Sequence, residues 1–382
     1  MGAARTLPRR SDNLKVMVLG IRGIPDVPGG VETHAQNLYP RIADKGWKVE
    51  VVVRTPFVPK ERRGLGPIRF RRIWCPRKRG LEAFVHSLLG VMYACVARPD
   101  LLHIHAVGPA IVTPLARLLG IRVVVTHHGL DYERAKWGAF ARWVLRAGER
   151  AGMNYSNARI AVSAAIADHI RKRYSLEADL IHNGVVIRPP ALSSTYVRSL
   201  GLVPQRYILQ VSRIVPEKRQ LDLIRAYRAL QPTDWKLVLV GGVEADSFSS
   251  QVQAEAASAG VVMTGSLVGD TLHELYSHAG VFVLPSAHEG LPIAMLEALS
   301  YGLPVLASDI PANLEVGLEE SQYFTLGDVV ALSRALRGIL DGSGIDRLIS
   351  ERSRLISRRY DWDRITDATL RVYERVAVHS RK

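Results

Sequence analysis

At 382 residues the chain exceeds what one hydrophobic core usually serves, so two domains are expected. Its two cysteines, Cys75 and Cys95, exclude a disulfide framework and a paired-cysteine metal site, and fit a reducing cytoplasm. The net charge of +15 is uneven: residues 1–190 hold 31 Lys+Arg against 14 Asp+Glu, and the remainder 20 against 22. A half this cationic presents either a solvated basic face or a surface for anionic lipid or nucleic acid.

Residues 1–13 are basic and lack an apolar run, so they read as a disordered lead-in and not as a signal peptide. Residues 14–20 (LKVMVLG) read as a buried strand, followed by the glycine- and proline-rich loop IRGIPDVPGGVETH, a helix over 31–45 and a strand over 47–54. This is a right-handed βαβ unit with parallel strands. Residues 60–79 hold nine Lys+Arg and one Glu, mixed with Phe70, Ile73 and Trp74. An apolar helix over 81–97, a strand over 101–105, a helix over 106–119 and a strand over 122–126 lead to His127-His128-Gly129. His103, His105 and Pro109 interrupt the apolar run 101–119, so no transmembrane helix is expected. A long helix over 132–152 mixes Trp137, Phe140 and Trp143 with arginines; a strand (159–162), a helix (164–174) and the turn His182-Asn183-Gly184-Val185 follow.

Composition then shifts to proline and serine, marking a linker at 191–204. A second alternating series begins: strands at 207–211, 236–240, 261–264, 281–284 and 305–308, and helices at 220–230, 248–258, 271–279, 332–340 and 362–378. The expected architecture is α/β: two Rossmann-like, doubly wound parallel sheets at 14–190 and 205–360, with ligands at the carboxyl ends of the strands, and a C-terminal helix over 361–382.

The stretch 285–304, PSAHEGLPIAMLEALSYGLP, holds Glu289 and Glu297 with seven residues between them. Pro292 marks a helix start, which places Glu289 on a strand-to-helix loop and Glu297 more than a turn into the helix. A helix N-terminus between two carboxylates suits a ligand with both phosphates and hydroxyls. Arg213 and Lys218, in VSRIVPEKRQ, follow the first strand of the second series; a guanidinium fork and a point charge suit a diphosphate, and equally an exposed basic loop. The loop 20–30 lets backbone approach a phosphate, but Gly20 and Gly23 lack the dinucleotide spacing. Asp361-Trp362-Asp363 is read as a helix cap with Trp362 as anchor, not as a metal ligand pair, and no metal or other cofactor is inferred.

In their order, RGIPDVPGGVETH, THHG, NGV, VSRIVPEK, HEGLPIAMLEALSYGLPV and DWDRITDATLRVYE resemble the retaining glycosyltransferases of family 4, which have the two-Rossmann GT-B fold. The opening resembles a bacterial surface-polysaccharide, rhamnosyltransferase-like subgroup. The resemblance implies a nucleoside-diphosphate-sugar donor and a lipid-linked or oligosaccharide acceptor, with front-face transfer that retains the anomer. It further implies that Arg213 and Lys218 clasp the diphosphate, Glu289 binds the sugar, the backbone of Gly290, Leu291, Pro292 and Ile293 meets the phosphates, and Glu297 holds the ribose. His128 would sit by sugar and acceptor, Gly29 and Gly30 would approach the donor phosphate, and Asn183 would form the hinge-side wall. The C-terminal helix would cross back onto the first domain. Glycosidases set two carboxylates across one bond, whereas these glutamates lie along one loop–helix unit; cations replace the acid, because a diphosphate needs charge stabilisation more than protonation. The basic half and helix 132–152 suggest an anionic membrane surface at the cytoplasmic face; no helix-turn-helix or RNA-binding aromatic signature points to nucleic acid. The competing readings are an epimerase-like two-Rossmann enzyme, which needs acid/base carboxylates in the cleft, and a non-catalytic basic binding protein.

Overall fold

The computed structural model describes residues 14–77, 80–134, 137–231, 234–341, 356 and 358–378. The expected lead-in, and Lys78 and Arg79 of the basic segment, lie outside the described residues. The first series comprises β1 (Lys15–Leu19), α1 (Gly30–Asp44), β2 (Lys48–Arg54), β3 (Gly64–Leu65), β4 (Ile68–Ile73), α2 (Leu81–Ala97), β5 (Leu101–His105), α3 (Thr113–Leu118), β6 (Val123–His127), α4 (Ala139–Tyr155), β7 (Ala158–Ala161), α5 (Ala164–Tyr174) and β8 (Asp179–Leu180). After α6 (Thr195–Ser199) come β9 (Tyr207–Val211), α7 (Gln220–Leu230), β10 (Lys236–Val240), α8 (Ser247–Ser258), β11 (Val262–Gly265), α9 (Gly269–His278), β12 (Val281–Leu284), α10 (Ile293–Ser300), β13 (Val305–Ser308), α11 (Pro311–Leu314), β14 (Tyr323–Phe324) and α12 (Val329–Leu340), then the last helix, α13 (Trp362–Val378).

These strands form two sheets, ordered β3-β4-β2-β1-β5-β6-β7-β8 and β11-β10-β9-β12-β13-β14. Only β3–β4 is antiparallel among the described pairings. The strands are short apolar runs rich in Val, Ile and Leu because both faces are covered. In β1, Val16 and Val18 point into the core beneath α1 and α13, while Met17 and Leu19 point to the opposite core with Val91 and Met153. The same alternation in β12 sends Val281 and Val283 one way and Phe282 and Leu284 the other. In each sheet the strand order reverses beside the first strand of its series, between β1 and β5 and between β9 and β12. Loops diverge there and leave a crevice at the strands' carboxyl ends.

Helix α13 returns to the first domain. Tyr373 packs on Trp47 with ring centroids 5.3 Å apart, and Lys45–Asp367 at 3.1 Å and Arg41–Asp363 at 3.4 Å line its flank. Asp361 caps it by accepting from the Arg364 N–H at 2.9 Å, and Trp362 is buried.

Three local expectations are corrected, and strands are added where none was expected. The basic segment contains the two-residue edge strand β3 and, next to it, β4, whose exposed Arg69 and Arg71 hid its pattern. The helix expected over 106–119 is a 3-10 turn (Pro109–Val112) and the short α3, because each proline opens a new turn. The helix expected over 132–152 begins only at Ala139: Gly138 is extended, and Asp131–Glu133 forms a separate 3-10 turn. The linker region contains α6, tied to the second domain by the Val197 N–H on Glu274 at 2.9 Å.

Candidate active site

In the second domain the loops after β9 and β12 flank the reversal point. Arg213 and Lys218 lie on the first and Glu289 on the second. The cations' backbone is braced by neighbouring amides: Gln220 donates to the Arg213 carbonyl at 2.8 Å and Gln210 to the Lys218 carbonyl at 3.0 Å. The loops are joined by the Ala287 N–H on the Glu217 carbonyl at 2.8 Å, and Lys218 ion-pairs with Glu289. Burial lowers the Arg213 guanidinium, Arg134 and Arg22 push the same way, and Glu217 and Asp131 oppose them.

One turn and more along α10, Glu297 accepts from the Tyr276 hydroxyl at 3.0 Å. Tyr276 stacks on Tyr301, centroids 5.3 Å apart and planes 4° from parallel, and the Tyr301 hydroxyl lies 2.6 Å from His273 Nδ1. Burial pushes the Glu297 carboxyl up to about 7, against the Tyr276 hydrogen bond.

The first domain supplies the opposite wall. Gly29 precedes α1 with φ 153, and a Cβ there would stand 2.1 Å from Glu32 Oε2. Glu32 is held by Arg22 at 3.0 Å. Gly30 faces Ile293 across the cleft, 3.9 Å from its Cβ direction to the Ile293 side chain. His127 and His128 diverge as neighbours at a strand end do. His127 turns inward to Glu149 at 2.9 Å; Glu149 also takes His169 at 2.9 Å and Tyr174 at 2.7 Å, and these partners outweigh burial to hold its carboxyl well below the usual range. His128 instead borders the cleft, its Nε2 2.8 Å from His105 Nδ1. Asn183 bridges the domains, 2.9 Å from His34 Nδ1 through its oxygen and 3.4 Å from the Leu291 carbonyl through its nitrogen. At the rim the two backbones touch: a Cβ on Gly290 would lie 1.8 Å from the His128 carbonyl oxygen.

The result is one cleft of about 670 Å³, bordered by every site residue named from the sequence. It is bordered also by Asp131, Arg134, Tyr276 and Trp362, which the sequence reading had not assigned to a site. Arg134 pairs with Asp131 at 2.7 Å and reaches toward Glu217 at 3.9 Å; it was hidden inside the overlong helix. Tyr276 sits mid-helix with no local motif to mark it.

Among the described residues, His34, His105 and His128 form a metal-capable group, with ligand nitrogens within 4.8 Å of one another. The 2.8 Å between His105 and His128 is a hydrogen-bond separation, below the roughly 3.4 Å between two imidazole nitrogens on one tetrahedral zinc. Burial lowers His34 to about 4 and His103 to about 3, and holds His105 and His128 well below 6.5, so all four are neutral.

Two family models cover most of the chain: "Glycosyltransferase Family 4" matches residues 28–188 and "Glycosyl transferases group 1" matches residues 196–360. A 2-deoxystreptamine N-acetyl-D-glucosaminyltransferase from Streptomyces fradiae is 28% identical over 350 residues, covering 81% of this chain and 82% of its own length. The sucrose-phosphate synthase of Thermosynechococcus elongatus superposes with a TM-score of 0.83 at 20% identity, over 96% of this chain and 100% of that one. Anabaena HepE in complex with UDP-glucose does so with a TM-score of 0.75 at 18% identity, over 95% and 100%. These likenesses identify the two facing sheets as a GT-B fold.

Proposed function

The chain belongs to the family 4 glycosyltransferases, and from that premise we propose that it moves a hexose-type sugar from a nucleoside diphosphate to a lipid-linked or saccharide acceptor with retention of the anomer. The observation that carries this reading is the cleft itself: Arg213 and Lys218 stand beside Glu289 at the reversal point of the second sheet, opposite Gly29, Gly30 and His128. The two cations stabilise the charge on the departing diphosphate, where a preorganised donor acts most strongly. Glu289 and Lys218 hold each other in place before the sugar arrives, and Glu289 then accepts from sugar hydroxyls. The start of α10 meets the phosphates, Glu297 takes the ribose diol, and His128 faces the sugar and the acceptor hydroxyl. Asn183 fixes the hinge-side wall by tying α1 to the loop before α10. The leaving phosphate takes the acceptor proton, so neither a metal nor a second carboxylate is required.

The RGIPDVPGGVETH opening favours a role in bacterial cell-surface polysaccharide synthesis. The acceptor side favours work at the cytoplasmic face of a membrane. On α4, Phe140 and Trp143 stack 6.2 Å apart while 77% and 65% exposed, with Arg142, Arg146 and Arg150 on the same helix. Aromatics and arginines sharing an exposed helix suit an anionic interface. No helix among the described residues is long and apolar enough to cross a membrane. Flotation with anionic vesicles at low salt tests this part: recovery with the vesicles is expected, and none at low salt contradicts it.

A panel of sugar nucleotides, read by release of nucleoside diphosphate and by the anomeric coupling of the product, tests the main reading. Turnover of a specific donor with retained configuration is expected. Inverted product overturns the mechanism, epimerised donor favours the epimerase-like enzyme, and no release from any donor favours a binding protein.

A further inference from the structure

Behind the cleft, the first domain buries a line of polar side chains where apolar ones would ordinarily pack. Starting at the cleft, His128 Nε2 lies 2.8 Å from His105 Nδ1, and His105 Nε2 meets the Tyr39 hydroxyl. That hydroxyl stands 2.9 Å from His103 Nδ1, which also faces the Tyr373 hydroxyl at 2.6 Å. His103 Nε2 ends the line on Thr126 Oγ1 at 2.7 Å. Tyr39, His103, His105, Thr126 and Tyr373 are all buried, and they come from α1, β5, β6 and α13.

A neutral imidazole has one donor and one acceptor nitrogen. At His105 the run therefore has two senses. In one, His128 Nε2–H donates to His105 Nδ1 and His105 Nε2–H to the Tyr39 hydroxyl; His128 Nδ1 is then a bare acceptor. In the other, Tyr39 O–H donates to His105 Nε2, His105 Nδ1–H donates to His128 Nε2, and His128 Nδ1 carries the proton. The Tyr39 hydroxyl has one proton and three neighbours, His105, His103 and Tyr373, so where it donates selects the sense. One of the two His105 bonds out of step would leave a buried donor or acceptor unpaired, which the surroundings penalise.

We propose that Tyr39 and His105 are positioning residues for His128: their hydrogen bonds fix its ring plane and its tautomer, with His103, Thr126 and Tyr373 anchoring the far end. The consequence rests on the reading of His128 as the group facing the sugar, since what the chain fixes is whether His128 donates or accepts there. It also gives α13 a link to the cleft beyond its packing. Two like-shaped alternatives are set aside by geometry. A metal at His34, His105 and His128 needs the 2.8 Å contact to open, and a purely apolar role for Tyr39 leaves its hydroxyl bonds unexplained.

The test uses the full chain labelled with 15N-histidine. Wild type is expected to show one tautomer of His128 in two-bond 15N–1H correlations. Tyr39→Phe removes only the hydroxyl; it is expected to give a mixture of both tautomers and to lower kcat about five- to tenfold, the weight of one net hydrogen bond. The donor KM and the affinities for UDP, GDP and ADP should stay within about twofold, because the second domain is untouched. Should Tyr39→Phe lose nucleotide binding through misfolding, Tyr373→Phe gives the same readouts from the chain's outer end, with a smaller admixture. An unchanged tautomer and unchanged kcat in a folded variant overturns the proposal, and so does stoichiometric zinc in the purified protein that is lost in His34→Ala. If wild type turns over no donor, the functional reading fails while the tautomer measurement still decides the chain.

Discussion

The two domains reach the cleft by different routes. The second contributes side chains that are close in sequence: Arg213 and Lys218 from one loop, Glu289 through Ile293 and Glu297 from another loop and its helix. The first contributes His128 with support from α1, β5, the turn at Asn183 and α13, segments spread from His34 to Tyr373. A donor half built on two braced loops rests mainly on contacts between those loops. The other half depends on tertiary packing to hold a single imidazole, and so is sensitive to changes far from the cleft.

The largest expected effect breaks the donor half. Lys218→Ala removes a charge from the proposed diphosphate site and the ion pair with Glu289; kcat with a verified donor should fall about 10²- to 10³-fold. A loss under about tenfold would mean that the second domain does not carry the charge stabilisation.

The next effect lies where the halves touch. Gly290→Ala would place a Cβ 1.8 Å from the His128 carbonyl oxygen, and an ångström of misplacement between the walls costs about 100-fold in turnover. Nucleoside diphosphate affinity, measured by calorimetry, should fall by a smaller factor than turnover, because the clash is with the opposite wall while the phosphates are met through backbone.

A smaller effect is set by pH. With its carboxyl pushed up to about 7, Glu297 is mostly protonated at pH 6 and mostly ionised at pH 8. The carboxylate is the form that accepts from both ribose hydroxyls, so nucleoside diphosphate affinity should rise about tenfold across that interval. Glu297→Gln should flatten the profile; a slope that persists in the variant assigns the titration to another group.

The smallest effect sharpens the comparison by its absence. His128→Ala should slow transfer yet leave nucleoside diphosphate affinity within about twofold of wild type, because the wall it removes belongs to the other half. Weaker nucleotide binding in that variant would join the two halves into one donor site.

How much was legible in the sequence follows the same division. The β12–α10 corner was readable because strand, proline and both glutamates are consecutive, so local chemistry fixes the geometry. The Asp361 cap and the buried Trp362 were readable for that reason too. Arg134 was not, because an extended Gly138 cannot be told from a helical one by pattern alone. Strand β4 was masked by Arg69 and Arg71 at its exposed alternate positions. His127 and His128 were adjacent letters; only the strand's alternation, with Glu149 waiting on one side, separates a buried structural histidine from one at the cleft. The Tyr39–His105–Tyr373 line had no sequence signature, since its members meet only after four elements pack.

The central claim is that Glu289 faces the transferred sugar beside the cations that receive the leaving diphosphate. Steady-state transfer by Glu289→Gln with a donor verified on wild type tests it most directly, with nucleoside diphosphate affinity measured on the same sample. The account predicts kcat reduced about 100-fold or more with affinity for the nucleotide retained. Full transfer activity in that variant would contradict it.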